Sequence, residues 1–134
     1  MVTKPVRAPM LRTGTGFTLI ELLVVMAIIA LLLTISIPKY FHSLDKSREA
    51  VLKQDLHIMR DAIDKFFADH GRYPDTLAEL AETKYLRKIP PDPMTDNIES
   101  WIVIPPHDGS SRGVYDVKSG AEGAGLGGTE YANW

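Results

Sequence analysis

The sequence predicts an α+β fold in which a long N-terminal α-helix, embedded in a membrane over its first half, packs on a small C-terminal head. Three observations support this fold: an apolar run at 17–37, a helical stripe of apolar residues after Pro38, and two short β-branched segments near the C-terminus. They divide the 134 residues into a basic segment at 1–16, a membrane helix at 17–37 and a head at 38–134. The head should contain the amphipathic second half of the long helix, a short antiparallel sheet and a glycine-rich loop.

Basic residues are concentrated at the N-terminus. Residues 1–16 contain Lys4, Arg7 and Arg12 and no acidic residue, whereas the rest of the chain contains 12 basic and 17 acidic residues. Because nucleic-acid-binding proteins present a basic face, this acidic body argues against nucleic acid as a partner. The chain has no cysteine, which excludes a disulfide, a thiolate zinc site and a cysteine nucleophile.

The apolar run from Phe17 to Ile37 contains one charged residue, Glu21. As a helix it would extend about 31 Å, which matches the hydrocarbon thickness of a bilayer. The basic residues before it place the N-terminus in the cytoplasm and the head on the opposite side of the membrane. A cleaved secretory signal would have a shorter apolar stretch followed by small residues, whereas Pro38 follows here. The run therefore indicates a single membrane-spanning helix.

Glu21 is unusual because a carboxylate within a membrane span is costly and commonly functional. One explanation is that it lies near the headgroups and reaches them or is protonated. The other is a cationic partner at the same depth. Cleavage after Gly16 would create such a cation, the α-amino group of Phe17, which could pair with Glu21 of a neighbouring copy and set the stagger between helices.

A helical stripe follows Pro38, with apolar residues recurring at spacings of four and three. The stripe consists of Leu52, Leu56, Met59, Ile63 and Phe66, extended by Leu44 and Phe67. We expect these residues to be buried, and we expect Arg60, Asp61, Asp64 and Lys65 to form a solvated face. Pro38 should kink the helix rather than end it, since its ring removes one hydrogen bond and crowds the preceding turn. Gly71 should end it, because glycine adopts the left-handed conformation of a helix C-terminus.

The rest of the head should contain one short helix and two strands. Thr76 and Glu79 form a capping box that predicts a helix at about 77–84. The segments 101–104 and 114–117 are rich in β-branched and aromatic residues and predict two strands,.

The sequence Gly16-Phe17-Thr18-Leu19-Ile20-Glu21, with its basic leader, apolar run and Pro38, resembles the class III signal of type IV prepilins and type II secretion pseudopilins. This resemblance implies a pilin-like fold. It also implies that a prepilin peptidase cleaves the leader between Gly16 and Phe17 and methylates the amine of Phe17. Glu21 would be the family's assembly glutamate, and Pro38 the proline that follows the membrane span in many members.

The second half of the chain is similar to the G-type, or major, pseudopilins. The similarity rests on Gly71-Arg72-Tyr73-Pro74, Asp92-Pro93, residues 116–123 and Trp134. It implies that the glycine-rich segment corresponds to a loop that binds one calcium ion in many of these proteins. The oxygen ligands that this segment offers are the side chains of Glu122 and Glu130, Asn133, and backbone carbonyls around Ser119. The alternative is a glycine-rich turn network without metal, since Glu122 stands where the family has an aspartate. No cofactor is otherwise expected.

Other kinds of site have little support in the sequence. Residues 123–128 match a GxGxxG spacing, but too few residues follow for the helix that a dinucleotide fingerprint requires. The histidines form no HxxxH or HExxH pair, and no GxSxG is present. We therefore expect no enzymatic activity.

The resemblance predicts a structural subunit of a type II secretion pseudopilus, which drives protein export across the outer membrane. The subunit would cross the bacterial inner membrane once, with a cytoplasmic N-terminus and a periplasmic head. Its implied partners are further copies of itself in a homopolymer, minor pseudopilins, a prepilin peptidase, and an inner-membrane assembly platform with its ATPase. Two alternatives stay open: a type IV pilin subunit for adhesion or motility, and an anchored domain that never polymerises.

Overall fold

A long helix followed by a small α+β segment makes up the protein, which confirms the predicted fold class. The computed structural model describes residues 1–10, 14–109 and 112–134, so Arg12 of the leader lies outside the described residues. The chain divides into two units, Met1–Lys39 and Tyr40–Trp134. The elements in chain order are helix α1 (Leu19–His70), helix α2 (Leu77–Glu82), strand β1 (Ile102–Ile104), strand β2 (Asp116–Lys118) and a 3₁₀ turn (Tyr131–Asn133).

The first unit contains the apolar part of α1. Within the described chain, α1 is the one helix long and apolar enough to cross a membrane, and no residue of its most apolar window is buried. An exposed apolar surface of this extent is stable against lipid or other apolar helices rather than against water. Pro38 lies inside α1, and the kink predicted there stays a prediction.

The core of the second unit is built on the second half of α1. The predicted stripe residues Leu52, Leu56, Met59, Ile63 and Phe66 are all buried, as is Ala62. They pack with Leu77 and Leu80 of α2 and with Trp101, Val114, Val117 and Tyr131.

The predicted extension of the stripe to Leu44 and Phe67 is wrong, since their side chains are 37% and 42% exposed. Leu44 precedes Glu49, the first buried residue of α1. Phe67 is rotated about 100° around the helix from Phe66, and its ring stacks on that of Tyr73 with centroids 4.5 Å apart. Periodicity alone does not indicate how far along a helix the head covers it.

The helix ends follow local signals. Gly71 has φ 68° and its N–H donates to the carbonyl of Phe67 at 2.8 Å, as expected for the end of α1. Thr76 caps α2, with its hydroxyl accepting from the N–H of Glu79 at 3.3 Å. Helix α2 ends at Glu82 rather than at 84, because Lys84 adopts a left-handed φ of 64°.

The sheet consists of β1 and β2, which pair antiparallel with Val103 opposite Val117. The strands begin one and two residues later than predicted, and β2 also ends one residue later, at Lys118. The indole of Trp101 donates to the carbonyl of Pro90 at 2.8 Å, and the ring is buried. The N–H of Val114 donates to the carbonyl of Pro74 at 2.7 Å.

Candidate functional site

The start of α1 holds the residues of the predicted processing and assembly site. The Glu21 carboxylate oxygen Oε2 accepts from the N–H of Thr18 at 2.7 Å and from its hydroxyl at 3.1 Å. In return, the Thr18 hydroxyl accepts from the N–H of Glu21 at 3.3 Å. This reciprocal pattern is a capping box, which satisfies backbone donors at the helix N-terminus. The Thr-x-x-Glu spacing could have revealed it, but sequence reasoning sought an intermolecular partner for Glu21 and missed the local one.

Gly16 and Phe17 precede this box in an irregular, exposed segment. The Phe17 side chain is 91% exposed, and a Cβ added at Gly16 would meet no atom within 4 Å. The bond between them is therefore sterically accessible. Cleavage there, methylation of Phe17 and the assembly role of Glu21 stay predictions.

The charge of Glu21 is hydrogen-bonded but not neutralised in the described part of the chain. No ion pair between Glu21 and a basic residue occurs among the described residues. Both Thr18 bonds end on Oε2, so Oε1 can accept from another donor. A cation from outside the chain could therefore bind without disrupting the capping box.

The four predicted calcium ligands lie in the second unit but are only partly brought together. Ser119, Glu122 and Glu130 line an open groove of about 490 Å³, and Asn133 does not line it. Ser119 is buried, with its hydroxyl donating to Oδ2 of Asp92 at 2.5 Å and accepting from the N–H of Ala121 at 3.1 Å. Glu122 and Glu130 are exposed.

This donor set is poor for calcium, which takes six to eight oxygen ligands including several carboxylates. The groove offers two carboxylates, and the described residues contain no group of three or more His, Cys, Asp or Glu that could hold a metal. The loop also forms its own turns. The N–H groups of Gly125, Gly128 and Tyr131 donate to the carbonyls of Thr129, Gly125 and Gly123. We therefore assign no role to a metal here, and calcium binding stays a prediction.

Sequence reasoning missed Glu49, which contacts the glycine-rich loop from α1. Its side chain is 8% exposed, and Oε1 accepts from the N–H of Leu126 at 2.6 Å and from the hydroxyl of Tyr131 at 3.3 Å. Burial and the negative charge of Glu49 raise the pKa of Tyr131. The available signal was position: Glu49 lies three residues before Leu52, in register with the apolar stripe.

Arg60 was predicted on the solvated face, and this is wrong. It is half-buried and donates through Nε to Asp116 at 2.8 Å. It also donates to the main-chain oxygens of Val117 at 3.0 Å and Trp134 at 2.7 Å. Asp61 and Lys65 do lie exposed on the predicted solvated face, where they form an ion pair at 2.7 Å. Arg60 is less exposed than Asp61 and Lys65 because β2 and the C-terminal residue Trp134 contact its side of α1.

A long exposed apolar helix with a capped start, followed by a small α+β unit, is consistent with a pilin-like α+β fold that carries a candidate membrane-spanning helix. Residues 12–37 match the prokaryotic N-terminal methylation motif. The chain is 27% identical to type II secretion system core protein G of Pseudomonas aeruginosa, over 92% of this chain and 96% of that protein. It is 25% identical to the protein of the same name in Vibrio cholerae, over 92% and 94% of the two chains.

A shorter match is to the type IV major pilin protein PilA of Myxococcus xanthus, 38% identical over 48% of this chain and 30% of that protein. No solved structure matches the chain significantly. The motif and the near-full-length matches confirm the predicted resemblance to the G-type pseudopilins of the type IV pilin-like superfamily. With the apolar N-terminal helix, they indicate an inner-membrane-anchored protein.

Proposed function

We propose that this chain is the major structural subunit of a type II secretion pseudopilus, which polymerises from the inner membrane and drives protein export across the outer membrane. The observation that carries the proposal is the extent of the similarity to core protein G, which includes the second unit as well as the helix. The match to a type IV pilin covers about half of the chain. A pilin for adhesion or motility is therefore the weaker alternative.

The mechanism is assembly rather than a chemical reaction. The apolar part of α1 is exposed along its whole length, so lipid covers it in the membrane and neighbouring copies would cover it in a fibre. Exchanging lipid for apolar helices costs far less than exposing the same surface to water. An inner-membrane platform and its ATPase would supply the work of extraction, and minor pseudopilins would join the homopolymer.

Glu21 would align an incoming subunit. After a prepilin peptidase cleaves between Gly16 and Phe17, the new α-amino group of Phe17 is a cation at the depth of Glu21. This amine could bind Oε1 of Glu21 on a neighbouring copy while Thr18 of that copy keeps Oε2. Two charges in an apolar environment are strongly favoured as a pair, because either one alone is desolvated without compensation.

The basic leader would orient the chain before cleavage. Lys4, Arg7 and Arg12 precede the helix and would hold the N-terminus in the cytoplasm by the positive-inside rule,. The second unit would then fold in the periplasm.

Deletion of the gene in its native host tests the function. We expect folded proteins to accumulate in the periplasm and to be lost from the medium, with surface fibres and motility unchanged. Expression of the wild-type chain from a plasmid should restore export. Normal export together with lost adhesion or twitching would instead assign the chain to a type IV pilus.

Glu21→Ala tests the assembly role in the deletion strain. We expect the variant to be cleaved and membrane-inserted at wild-type levels, but to form no fibres in sheared-fibre assays and to leave export unrestored. Glu99→Ala is the matched control, because it removes an exposed carboxylate of the second unit. Wild-type fibre yield from Glu21→Ala would overturn the assembly role.

A further inference from the structure

We propose that the glycine-rich C-terminal segment, residues 119–134, is fastened to α1 by Glu49 and Arg60 and needs no calcium ion. We call Glu49 and Arg60, with the groups they bind, the α1 clasp. The two residues are 11 positions apart, which is close to three helical turns and about 16 Å along α1. They therefore lie on one face of the helix and hold the segment at two separate points.

The first point is the carboxylate of Glu49. It is buried and accepts two hydrogen bonds from the segment, from the N–H of Leu126 at 2.6 Å and the hydroxyl of Tyr131 at 3.3 Å. A hydrogen bond to an ionised acceptor is stronger than a neutral one, and a buried donor left without a partner is costly. Glu49 thus ties the tip of the loop directly to the helix.

Gly125 makes this approach possible. An added Cβ would lie 2.4 Å from Cζ2 of Trp134 and 3.0 Å from Oε1 of Glu49. The Trp134 ring cannot move away freely, because its indole donates to the carbonyl of Thr129 at 3.1 Å and the Lys53 ammonium lies 4.7 Å from its centroid. At Gly125, therefore, the space that a side chain would need is occupied by the Glu49 carboxylate and the Trp134 ring.

The second point is the guanidinium of Arg60. Its planar donors reach the β2 residues Asp116 and Val117 and also the main-chain oxygen of Trp134. Arginine suits this position because it presents several donors in a fixed geometry. One side chain thereby joins α1, the sheet and the end of the segment.

A calcium ion would perform the same task of cross-linking the loop, but its ligands are not assembled. The carboxylates available to it, Glu122 and Glu130, are exposed and make no side-chain hydrogen bond within the described structure. Glu49 and Arg60 by contrast already bind the segment at both points. We infer that side chains of α1 replace the metal in this chain.

The test measures the full-length protein in detergent micelles, by thermal unfolding and by hydrogen exchange of the peptide that contains Leu126. Excess EDTA or added calcium should leave Tm unchanged. Glu49→Ala should increase exchange at Leu126 about tenfold or more, lower Tm, and leave the exchange of α2 close to wild type. If Glu49→Ala does not fold, Glu49→Gln, which keeps an oxygen acceptor without the charge, should show the same change to a smaller extent.

One matched pair of variants and one double variant distinguish the clasp from a metal site. Gly125→Ala should loosen the loop, whereas Gly127→Ala should not, because a Cβ at Gly127 meets no atom within 4 Å. The double variant Glu122→Gln/Glu130→Gln should keep the wild-type Tm. A Tm that rises with calcium in the wild type and not in this double variant would overturn the proposal, as would unchanged exchange at Leu126 in the Glu49 variants.

Discussion

At the scale of single residues, the neighbouring carboxylates of Asp92 and Asp55 in the second unit differ in burial and in hydrogen bonding. Asp92 is fully buried, and its carboxylate accepts from the hydroxyl of Ser119 at 2.5 Å and from the N–H of Met94 at 2.8 Å. The neighbouring Asp55 on α1 is half-buried. Its burial, together with the negative charge of Asp92, raises the pKa of Asp55. The buried Asp92 carboxylate thus has hydrogen-bond donors on both oxygens. Ionised Asp55, by contrast, lowers the stability of the folded state.

Asp55→Asn should therefore raise the Tm of the full-length protein at pH 7. An acid whose pKa is higher in the folded state than in the unfolded state opposes folding when it is ionised. This penalty is complete above the folded pKa and disappears as the pH falls below the ordinary aspartate value of about 3.9. The gain in Tm over the wild type should therefore vanish as thermal unfolding is repeated at decreasing pH.

Asp64→Asn is the control for this prediction, since Asp64 lies on the exposed face of the same helix. Surface substitutions of this kind typically change stability by less than about 0.5 kcal/mol. A Tm for Asp55→Asn below that of the wild type at pH 7 would show that Asp55 instead stabilises the fold.

At the scale of elements, both helices begin with a Thr-x-x-Glu pair in which the threonine hydroxyl accepts from the N–H of the glutamate. Thr18 and Glu21 cap α1, and Thr76 and Glu79 cap α2. In α2 the Glu79 carboxylate accepts from the N–H of Asp75 at 2.7 Å, one residue before the cap. Because these bonds connect residues three or four apart, sequence spacing is enough to predict them.

Thr76→Ala should destabilise the second unit by about 1 kcal/mol, a typical value for loss of an N-cap. The effect should reach the core because α2 buries Leu77 and Leu80. Chemical denaturation monitored by tryptophan fluorescence would measure it.

Thr76→Ser is the matched control, because serine retains the capping hydroxyl and should stay near wild type. Equal loss in the alanine and serine variants would attribute the effect to the lost methyl group rather than to the cap.

At the scale of the whole molecule, the apolar part of α1 in the first unit is exposed in the described part of the chain. A prepilin peptidase must reach the bond after Gly16, and this bond lies in an exposed, irregular segment. Cleavage would remove the basic leader but keep Thr18, Glu21 and their capping box on the mature chain. Maturation would thus change the terminal charge without altering the start of α1.

Gly16→Val should leave the precursor uncut. Gly16 has open space around its Cα and no left-handed φ, so valine should fit the chain without strain and membrane insertion should be unaffected. Failure of cleavage would then reflect recognition by the peptidase. Intact-mass measurement of the membrane-extracted protein would detect the retained leader.

Gly14→Val is the control for the cleavage site, since Gly14 is equally unobstructed. It should be processed normally. Mature-length protein from Gly16→Val would refute the assigned junction.

The features that the sequence by itself determined are those set by near neighbours in the chain. The apolar run, the period of the stripe at 52–66, the stop at Gly71 and the cap at Thr76 all depend on residues within about one or two turns of one another. The resemblance to pseudopilins was also readable from the sequence, because the methylation motif is a contiguous segment.

Only the tertiary structure decided which residues α1 presents to the rest of the second unit. In the sequence, Arg60 and Glu49 look like ordinary charged surface residues. Both nevertheless bind the C-terminal segment, through hydrogen bonds that join residues 74, 77 and 82 positions apart. The exposure of Leu44 and Phe67 likewise depends on which part of α1 the head covers, which the period of the stripe does not show. Periodicity identifies the buried face of a helix. Which segment covers that face depends on packing between residues far apart in the sequence, and local sequence patterns do not indicate it.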